Sequence, residues 1–267
     1  MKRISAKGLS NLRDLGGIRA ADGRRVREGL FFRSDSLHRI GPLTCTLLRD
    51  KLRVATIIDL RTPLEMEEKP DVPVEGVEWI AIPVFDESVI GITRESGADY
   101  GKFIRHSNDR QAIRAIIPDM VKIYSGVMAD PQIVSKIAQV LQKMISNAQE
   151  GKATLFHCSQ GKDRTGAVSS LLLALLGVDR RTIYREYSHT NRIVGPKAFR
   201  DFLLVLLFKL DPKAAWLVWK ASIADADYMR AAFQTIDRLY GSPEALFRDV
   251  MQISDASRDA LMAAALE

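Results

Sequence analysis

Residues 152–177 read KATLFHCSQGKDRTGAVSSLLLALLG, and this stretch restricts the fold more than any other. A short apolar run, residues 153–157, precedes a polar, glycine-bearing loop. A long apolar run follows and stops at Gly177. The spacing predicts a buried strand, a tight loop and a buried helix beginning near Arg164. A strand and a helix that are both apolar all round need cover on every side. That favours an α/β core with a parallel sheet inside it. Cys158 then stands where the strand ends and the loop begins.

The loop carries its own chemistry. Cys158 and Arg164 bracket Ser159, Gln160, Gly161, Lys162 and Asp163. Five residues can close into a cradle of backbone N–H groups, and the following helix adds the positive end of its dipole. Such a nest binds phosphate. The same field stabilises a thiolate, which would make Cys158 a nucleophile. Arg164 offers a planar fork to two phosphate oxygens, a geometry lysine lacks. Thr165 can donate its hydroxyl to the sulfur, and Gly161 and Gly166 permit tight backbone geometry. A lone cysteine at a strand end is ordinarily a small buried hydrophobe, and an arginine at a helix start is ordinarily solvated. His157, two glycines and Thr165 at these offsets argue against both bland readings. A nucleotide P-loop fails, because Gly161-Lys162 is followed by Asp163 rather than Ser or Thr, and Phe156 stands where its first glycine should be. A sulfurtransferase loop also cradles a cysteine, but does not call for the Lys-Asp-Arg-Thr-Gly run. The expected reaction needs no metal and no cofactor.

The rest of the chain supports a mixed architecture. Asp22-Gly23 is a hairpin-turn dipeptide. Residues 29–34, 54–61 and 77–85 read as strands, and 36–52 as helical toward its end. Residues 110–148 hold two helical patterns split at Asp130-Pro131. From 179 onward the pattern is helical, with breaks expected at Gly195-Pro196, Asp211-Pro212 and Gly241-Ser242-Pro243. One domain, 1–267, with a helical C-terminal part is the natural division.

The loop HCSQGKDRTG matches the HCxxGKDRTG signature, and the chain resembles the atypical tyrosine phosphatases and related bacterial dual-specificity and lipid phosphatases. NLRDLGG (11–17), GLFFRSDSL (29–37), VATIIDLRTPLEMEEKPD (54–71), YSHTN (187–191) and AFQTIDRLYGSPEALFRDV (232–250) are similar to further blocks of that family. The resemblance implies a cysteine-phosphatase fold, with a mostly parallel central sheet flanked by helices. It implies hydrolysis of phosphotyrosine, with phosphoserine, phosphothreonine or a phosphoinositide as further substrates of some members. A phosphoinositide-directed enzyme is the alternative, and a non-enzymatic phosphate-binding scaffold a more distant one. Retention of both Cys158 and Arg164 weighs against the scaffold. The resemblance also implies that residues 200–221, within the least family-like region 196–225, form a helical lid over the pocket; the alternative is that both helices simply complete the core.

The leaving group needs a proton, and two aspartates compete to supply it. Asp163 lies in the loop and belongs to the signature. Asp86 follows the strand in IPVFDES, where other cysteine phosphatases place an acid loop. Lys162 is expected to attract dianionic phosphate, and His157 to brace the loop. Arg61 either touches substrate or pairs with Glu65. Arg13 and Asp14 are expected to brace the N-terminal turn. Cys45, the other cysteine, either guards Cys158 by reversible oxidation or is inert.

Net charge is 39 − 33 = +6 without a long basic run, so the partner expected is an anionic phosphosubstrate and not nucleic acid. The opening MKRISAKGLSNLRDLGG has no apolar h-region, which favours a cytoplasmic location. The greasiest segment, 202–221, is broken by Lys209, Asp211, Pro212 and Lys213, short of the ~20 apolar residues a span needs. Transient contact with a membrane surface is the most such a segment suggests.

Overall fold

The computed structural model describes residues 2–85 and 109–267. A six-stranded sheet runs in the order β1 (Lys2–Arg3), β2 (Arg13–Asp14), β3 (Phe31–Ser34), β6 (Ala153–His157), β4 (Val54–Asp59), β5 (Glu78–Ala81). The last four of these are mutually parallel, and β1 and β2 extend the sheet antiparallel at one edge. Strand β6 lies at the centre, so every residue of it is buried. Its register sets Ser34 and Asp59 beside His157. Three strands thus end together where Cys158 begins the loop, the edge at which α/β sheets collect their ligands.

Side chains alternate across the sheet and build two cores. Phe31, Ile58 and Phe156 face the larger cluster, while Phe32, Ile57 and Leu155 face the smaller. Cys158 belongs to the larger cluster and Cys45 packs against the smaller. The sheet therefore separates the two thiols, which favours the inert reading of Cys45 over the redox guard.

Helices cover both faces. The helix α1 (Pro42–Thr46) continues as a π-helical turn to Lys51, and α2 (Pro63–Glu68) follows β4. Then come α3 (Arg110–Ile116), α4 (Met120–Ala129) and α5 (Pro131–Gln149). The split at Asp130-Pro131 arises because Asp130 caps the amides of Gln132 and Ile133, with Pro131 in the first turn. On α5 the buried positions Ile133, Ile137, Val140, Leu141, Met144 and Ala148 recur at helical spacing. Helix α6 (Asp163–Leu175) is buried along its whole length, and Gly177 ends the segment in the left-handed region at φ 73°. The C-terminal part is α7 (Arg180–Ser188), α8 (Asn191–Lys209), α9 (Pro212–Ser222), α10 (Ala226–Tyr240), α11 (Pro243–Ala245, continuing as a π-helical turn to Val250) and α12 (Asp255–Ala265).

One expected break is absent. Helix α8 runs through Gly195-Pro196. Pro196 is the sixth helical residue, so its ring removes a single N–H bond just past the turn whose amides lack partners anyway. The breaks at 211–212 and 241–243 are present. Leu210 turns left-handed (φ 49°) and Asp211 caps the amides of Lys213 and Ala214. The predicted strands are shorter than their apolar runs, ending at Asp59 and Ala81.

Helices α8 and α9 form a hairpin with a small core of their own. Val205, Ala214 and Ala215 pack with Ile113 of α3, and Arg114 makes a two-pronged ion pair with Asp211. Among the described residues no helix is long and apolar enough to cross a membrane.

Candidate active site

The loop after β6 is held from outside by its carbonyls. Asn11 donates through Nδ2 to the carbonyl oxygens of Gln160 and Gly161, each at 3.0 Å, and Arg33 Nη2 donates to Gly161 O at 2.8 Å. In a trans peptide unit the C=O and the N–H point opposite ways. Turning these two carbonyls outward therefore turns the N–H groups of Gly161 and Lys162 toward the inner side of the loop. Gly161 has φ 66°, and a Cβ there would lie 2.3 Å from the carbonyl oxygen of Ser34. Only glycine fits both demands. Gly166 is needed for a different reason: a Cβ would meet the Tyr187 ring at 2.7 Å.

Arg33 and Arg13 are buried and meet one carboxylate, Glu186. Arg33 Nη1 lies 2.8 Å from Glu186 Oε2 and also donates to Ser169 Oγ at 2.5 Å. Arg13 Nε reaches Glu186 Oε1 at 2.9 Å, and its other nitrogens donate to Asn11 Oδ1 and Thr190 Oγ1. Burial pushes Glu186 up, but the two guanidinium charges outweigh it and hold the carboxyl below its usual range. Burial and the neighbouring Arg13 bring Arg33 down to about 10, against the pull of Glu186 and Cys158. Of the expected N-terminal braces, Asp14 accepts from the amides of Gly16 and Gly29, both at 2.8 Å. Arg13 instead reaches into the core.

Arg164 is fully buried. It makes a two-pronged bond to Glu65, at 2.5 and 2.8 Å, while its Nη2 also donates to Ser159 Oγ at 3.2 Å. Ser159 in turn donates to Glu65 Oε1 at 2.6 Å. Glu65 is itself fixed by the capping box of α2, with Thr62 N donating to its Oε2 at 3.0 Å. Burial pushes Glu65 up, and the Arg164 fork, Ser159 and the Thr62 amide bring it below its ordinary value. So Glu65 pairs with Arg164, not with Arg61 as one expectation had it.

Arg61 sits in a second ionic cluster behind the loop. Its guanidinium meets Asp59 at 2.6 Å and Asp71 at 2.9 Å, and donates to the carbonyl of Lys69. His157 Nε2 lies 3.0 Å from Asp71 Oδ2, and Nδ1 lies 3.3 Å from the carbonyl of Cys158. Burial disfavours the imidazolium, but Asp59 and Asp71 raise His157 above its usual value. Burial likewise opposes ionisation of Asp71, yet His157, Arg61 and the Leu37 amide bring it down to about 2. The expected bracing role of His157 thus has a geometry: it sits between the first peptide of the loop and Asp71, the carboxylate beyond α2, with Asp59 at the end of β4 3.9 Å from Nδ1. Asp59, Asp71 and His157 have the composition of a metal-ligand group, but the Arg61 guanidinium already contacts both carboxylates.

Asp163 opens α6, and Tyr124 OH donates to its Oδ1 at 2.6 Å. Tyr124 and Tyr187 share a hydroxyl contact of 2.6 Å, and burial followed by Asp163 holds both phenols well above their ordinary range. Lys162 is buried and not a solvated lysine: Nζ donates to Ala221 O at the end of α9 at 2.9 Å and lies 3.3 Å from Asp163 Oδ2. Thr165 Oγ1 is buried with no hydrogen-bond partner among the described residues. Asp86, the other candidate acid, lies outside the described residues. The structure therefore brings Cys158, Ser159–Thr165 and His157 together, sets Arg61 one layer behind, and adds Asn11, Arg33, Glu65, Tyr124, Tyr187 and Glu186.

The sequence carried a signal for one of these. A charged Arg33 inside the apolar strand FFRS must find a buried partner. Nothing in the local pattern marked Tyr124.

The sequence profile of the tyrosine phosphatase family matches residues 4–267. A Cupriavidus necator protein with a provisional tyrosine-protein phosphatase name is 28% identical over 251 residues, 93% of this chain and 84% of its own. The triple specificity protein phosphatase PtpB of Mycobacterium tuberculosis is 26% identical over 259 residues, 91% of each chain. A Nostoc commune tyrosine-protein phosphatase is 30% identical over 141 residues, 51% of this chain and 40% of its own.

Proposed function

Because the chain belongs to the tyrosine phosphatase family and is a phosphatase, we propose that it hydrolyses phosphotyrosine in protein substrates, with phosphoserine and phosphothreonine as further substrates, through a phosphocysteine on Cys158. The observation that supports this most is the loop built from outside. Asn11 and Arg33 hold the carbonyls, so amides face the cradle, and Glu65 fixes the plane of the Arg164 fork.

In this reading phosphate sits in the cradle, and Cys158 Sγ attacks phosphorus as a thiolate. The amides, the helix dipole and the nearby Arg33 charge favour that thiolate. The bond from phosphorus to the leaving oxygen breaks as Asp163 delivers a proton to that oxygen. Arg164 and the amides follow the charge that grows on the equatorial oxygens. Water then attacks the phosphocysteine, Asp163 takes its proton, and Sγ departs as a thiolate while Thr165 donates its hydroxyl to the sulfur. Hydrolysis of a phosphotyrosine peptide without added metal tests the reading, and absence of turnover under those conditions contradicts it.

Asp163 is the acid in this mechanism because Tyr124 orients its carboxylate at the mouth of α6. Asp163→Asn is then expected to slow esters with poor leaving groups at least about tenfold more than activated ones, and to remove the basic limb of the pH–rate profile. If Asp86→Asn gives that pattern and Asp163→Asn does not, the acid lies outside the loop.

In this reading the α8–α9 hairpin covers the site. Its core is separate from the main one, and Asn191 bridges its base by bonding both the N–H and the carbonyl of Ala224. Lys162 ties the same base to the loop through the carbonyl of Ala221. Leu207, Phe208 and Leu210 near its turn are exposed by two-thirds or more. That apolar tip favours a second reading, in which the hairpin rests on a membrane surface and offers phosphoinositides to the same loop. A cover must open, so amides of 200–221 are expected to exchange faster than those of 163–175 and to slow when vanadate fills the cradle. Equally slow exchange in both segments, with and without vanadate, makes the hairpin fixed core.

A further inference from the structure

A cleft of about 160 Å³ opens beside the loop and shares Ser159 and Gln160 with it. Its other walls come from the turn after β3, which supplies His38 and Arg39, and from the connection between β4 and α2 together with that helix's end, which supply Arg61 and Lys69. A larger, open depression of about 740 Å³ between α4 and α5 is lined by Gly126, Ala129, Asp130, Pro131 and Gln132 and lies away from this chemistry.

The cleft is cationic. Of its two carboxylates, Glu65 is engaged by Arg164, which leaves Glu68 against the exposed side chains of Arg39 and Lys69. Among the described residues no carboxylate lies within ion-pair distance of either cation. Arg61 adds a buried charge at the floor, shared with Asp59 and Asp71. The imidazole of His38 is set by its neighbours. Arg39 Nε can only donate, so His38 Nε2 accepts at 2.9 Å and its proton sits on Nδ1, 2.7 Å from Ser36 Oγ. Burial, then Arg39, Lys69 and Arg61, hold His38 below its ordinary value, with Asp71 alone opposing among the leading influences. His38 thus faces three cations, of which Arg39 and Lys69 lie on the exposed side of the cleft and Arg61 is already paired.

We propose that this cleft is a second anion subsite, which holds one phosphate of a doubly phosphorylated substrate while the other sits over Cys158. The proposal rests on the phosphatase reading above. Both phosphates would bind the same loop from adjacent sides, since Ser159 and Gln160 border both sites. Arg39 supplies a planar fork and Lys69 a mobile point charge, the pairing expected for a phosphate that must be recognised but not cleaved. The shared chemistry is a phosphomonoester, whether carried by a peptide or by an inositol ring.

The test uses the full chain and two matched substrate pairs. One is a phosphotyrosine peptide with and without a phosphate on the neighbouring residue. The other is a soluble inositol monophosphate and a vicinal bisphosphate. For at least one pair, kcat/KM is expected to be about tenfold higher for the doubly phosphorylated member, mainly through KM. In the double variant Arg39→Ala/Lys69→Ala that ratio should fall close to one, while kcat/KM for p-nitrophenyl phosphate stays within about twofold of wild type. The pair that shows the effect identifies the carrier. A wild-type enzyme that cleaves p-nitrophenyl phosphate but shows no preference in either pair overturns the subsite. So does a preference that survives in the double variant. Failure of the wild type on p-nitrophenyl phosphate without added metal is a failure of the phosphatase reading, and the subsite falls with it.

Discussion

Cys158→Ser is expected to abolish turnover while leaving the fold and the phosphate cradle intact. The cradle is made of backbone amides and the Arg164 fork, and none of the groups holding it outward involves the sulfur. Asn11 and Arg33 grip carbonyls of Gln160 and Gly161, and Glu65 grips Arg164. The hydroxyl of serine has an unperturbed pKa far above that of a thiol and lacks the sulfur's nucleophilicity, so the first step should lose about 10⁴–10⁶ in rate, the scale seen when an enzymatic nucleophile is removed. Inorganic phosphate should still bind within a few-fold of the wild-type Kd. Rapid quench of the wild type with a ³²P-labelled phosphotyrosine peptide should place label on Cys158, and the variant should hold none. Retention of more than about one per cent of wild-type kcat in Cys158→Ser would remove the covalent mechanism.

The loop was legible in the sequence because its chemistry is local. Strand, turn and helix dipole lie within about 25 consecutive residues, so Cys158, Arg164 and the two glycines declare themselves by spacing. Strand β6 matches its apolar run from Ala153 to His157. The partners of the loop are another matter. Asn11, Arg33, Glu65 and Tyr124 lie about 40 to 150 residues away in sequence, and only the packing of strands and helices brings them in. Arg61 shows the limit most clearly. A carboxylate four positions on made Glu65 a natural partner by helical spacing. Asp59 on the strand end and Asp71 beyond the helix claim Arg61 instead, and Glu65 turns to a fork 99 residues away. Gly195-Pro196 misled for a different reason: proline signals a helix boundary statistically, but near the first turn it removes little that the helix had.

The largest effect on stability is expected at Glu186, which touches neither the cradle nor solvent. It is 3% exposed and is the shared counter-charge of two buried guanidinium groups, Arg13 and Arg33. Removing one partner from such a cluster leaves uncompensated buried charge, at about 3–5 kcal/mol. Here two like charges would face each other without the carboxylate between them. Glu186→Ala should therefore approach the whole stability of an ordinary domain, on the order of 5–15 kcal/mol. Glu186→Gln keeps the shape and some hydrogen bonds, so it is the variant to measure, by urea unfolding at a series of pH values. The folded carboxyl is held below its usual value, so its contribution is complete above the unfolded pKa of about 4.3 and is lost as pH falls through the folded value. The stability gap between wild type and Glu186→Gln should accordingly be widest near neutral pH and narrow only below about pH 4. Arg33 joins this cluster to Gly161 O, so the Gln variant should also loosen the loop and lower kcat for phosphotyrosine peptides while p-nitrophenyl phosphate KM changes less. A gap that is flat across pH 3–7, or a Glu186→Gln protein as stable as wild type, would mean that the two arginines find their counter-charge elsewhere.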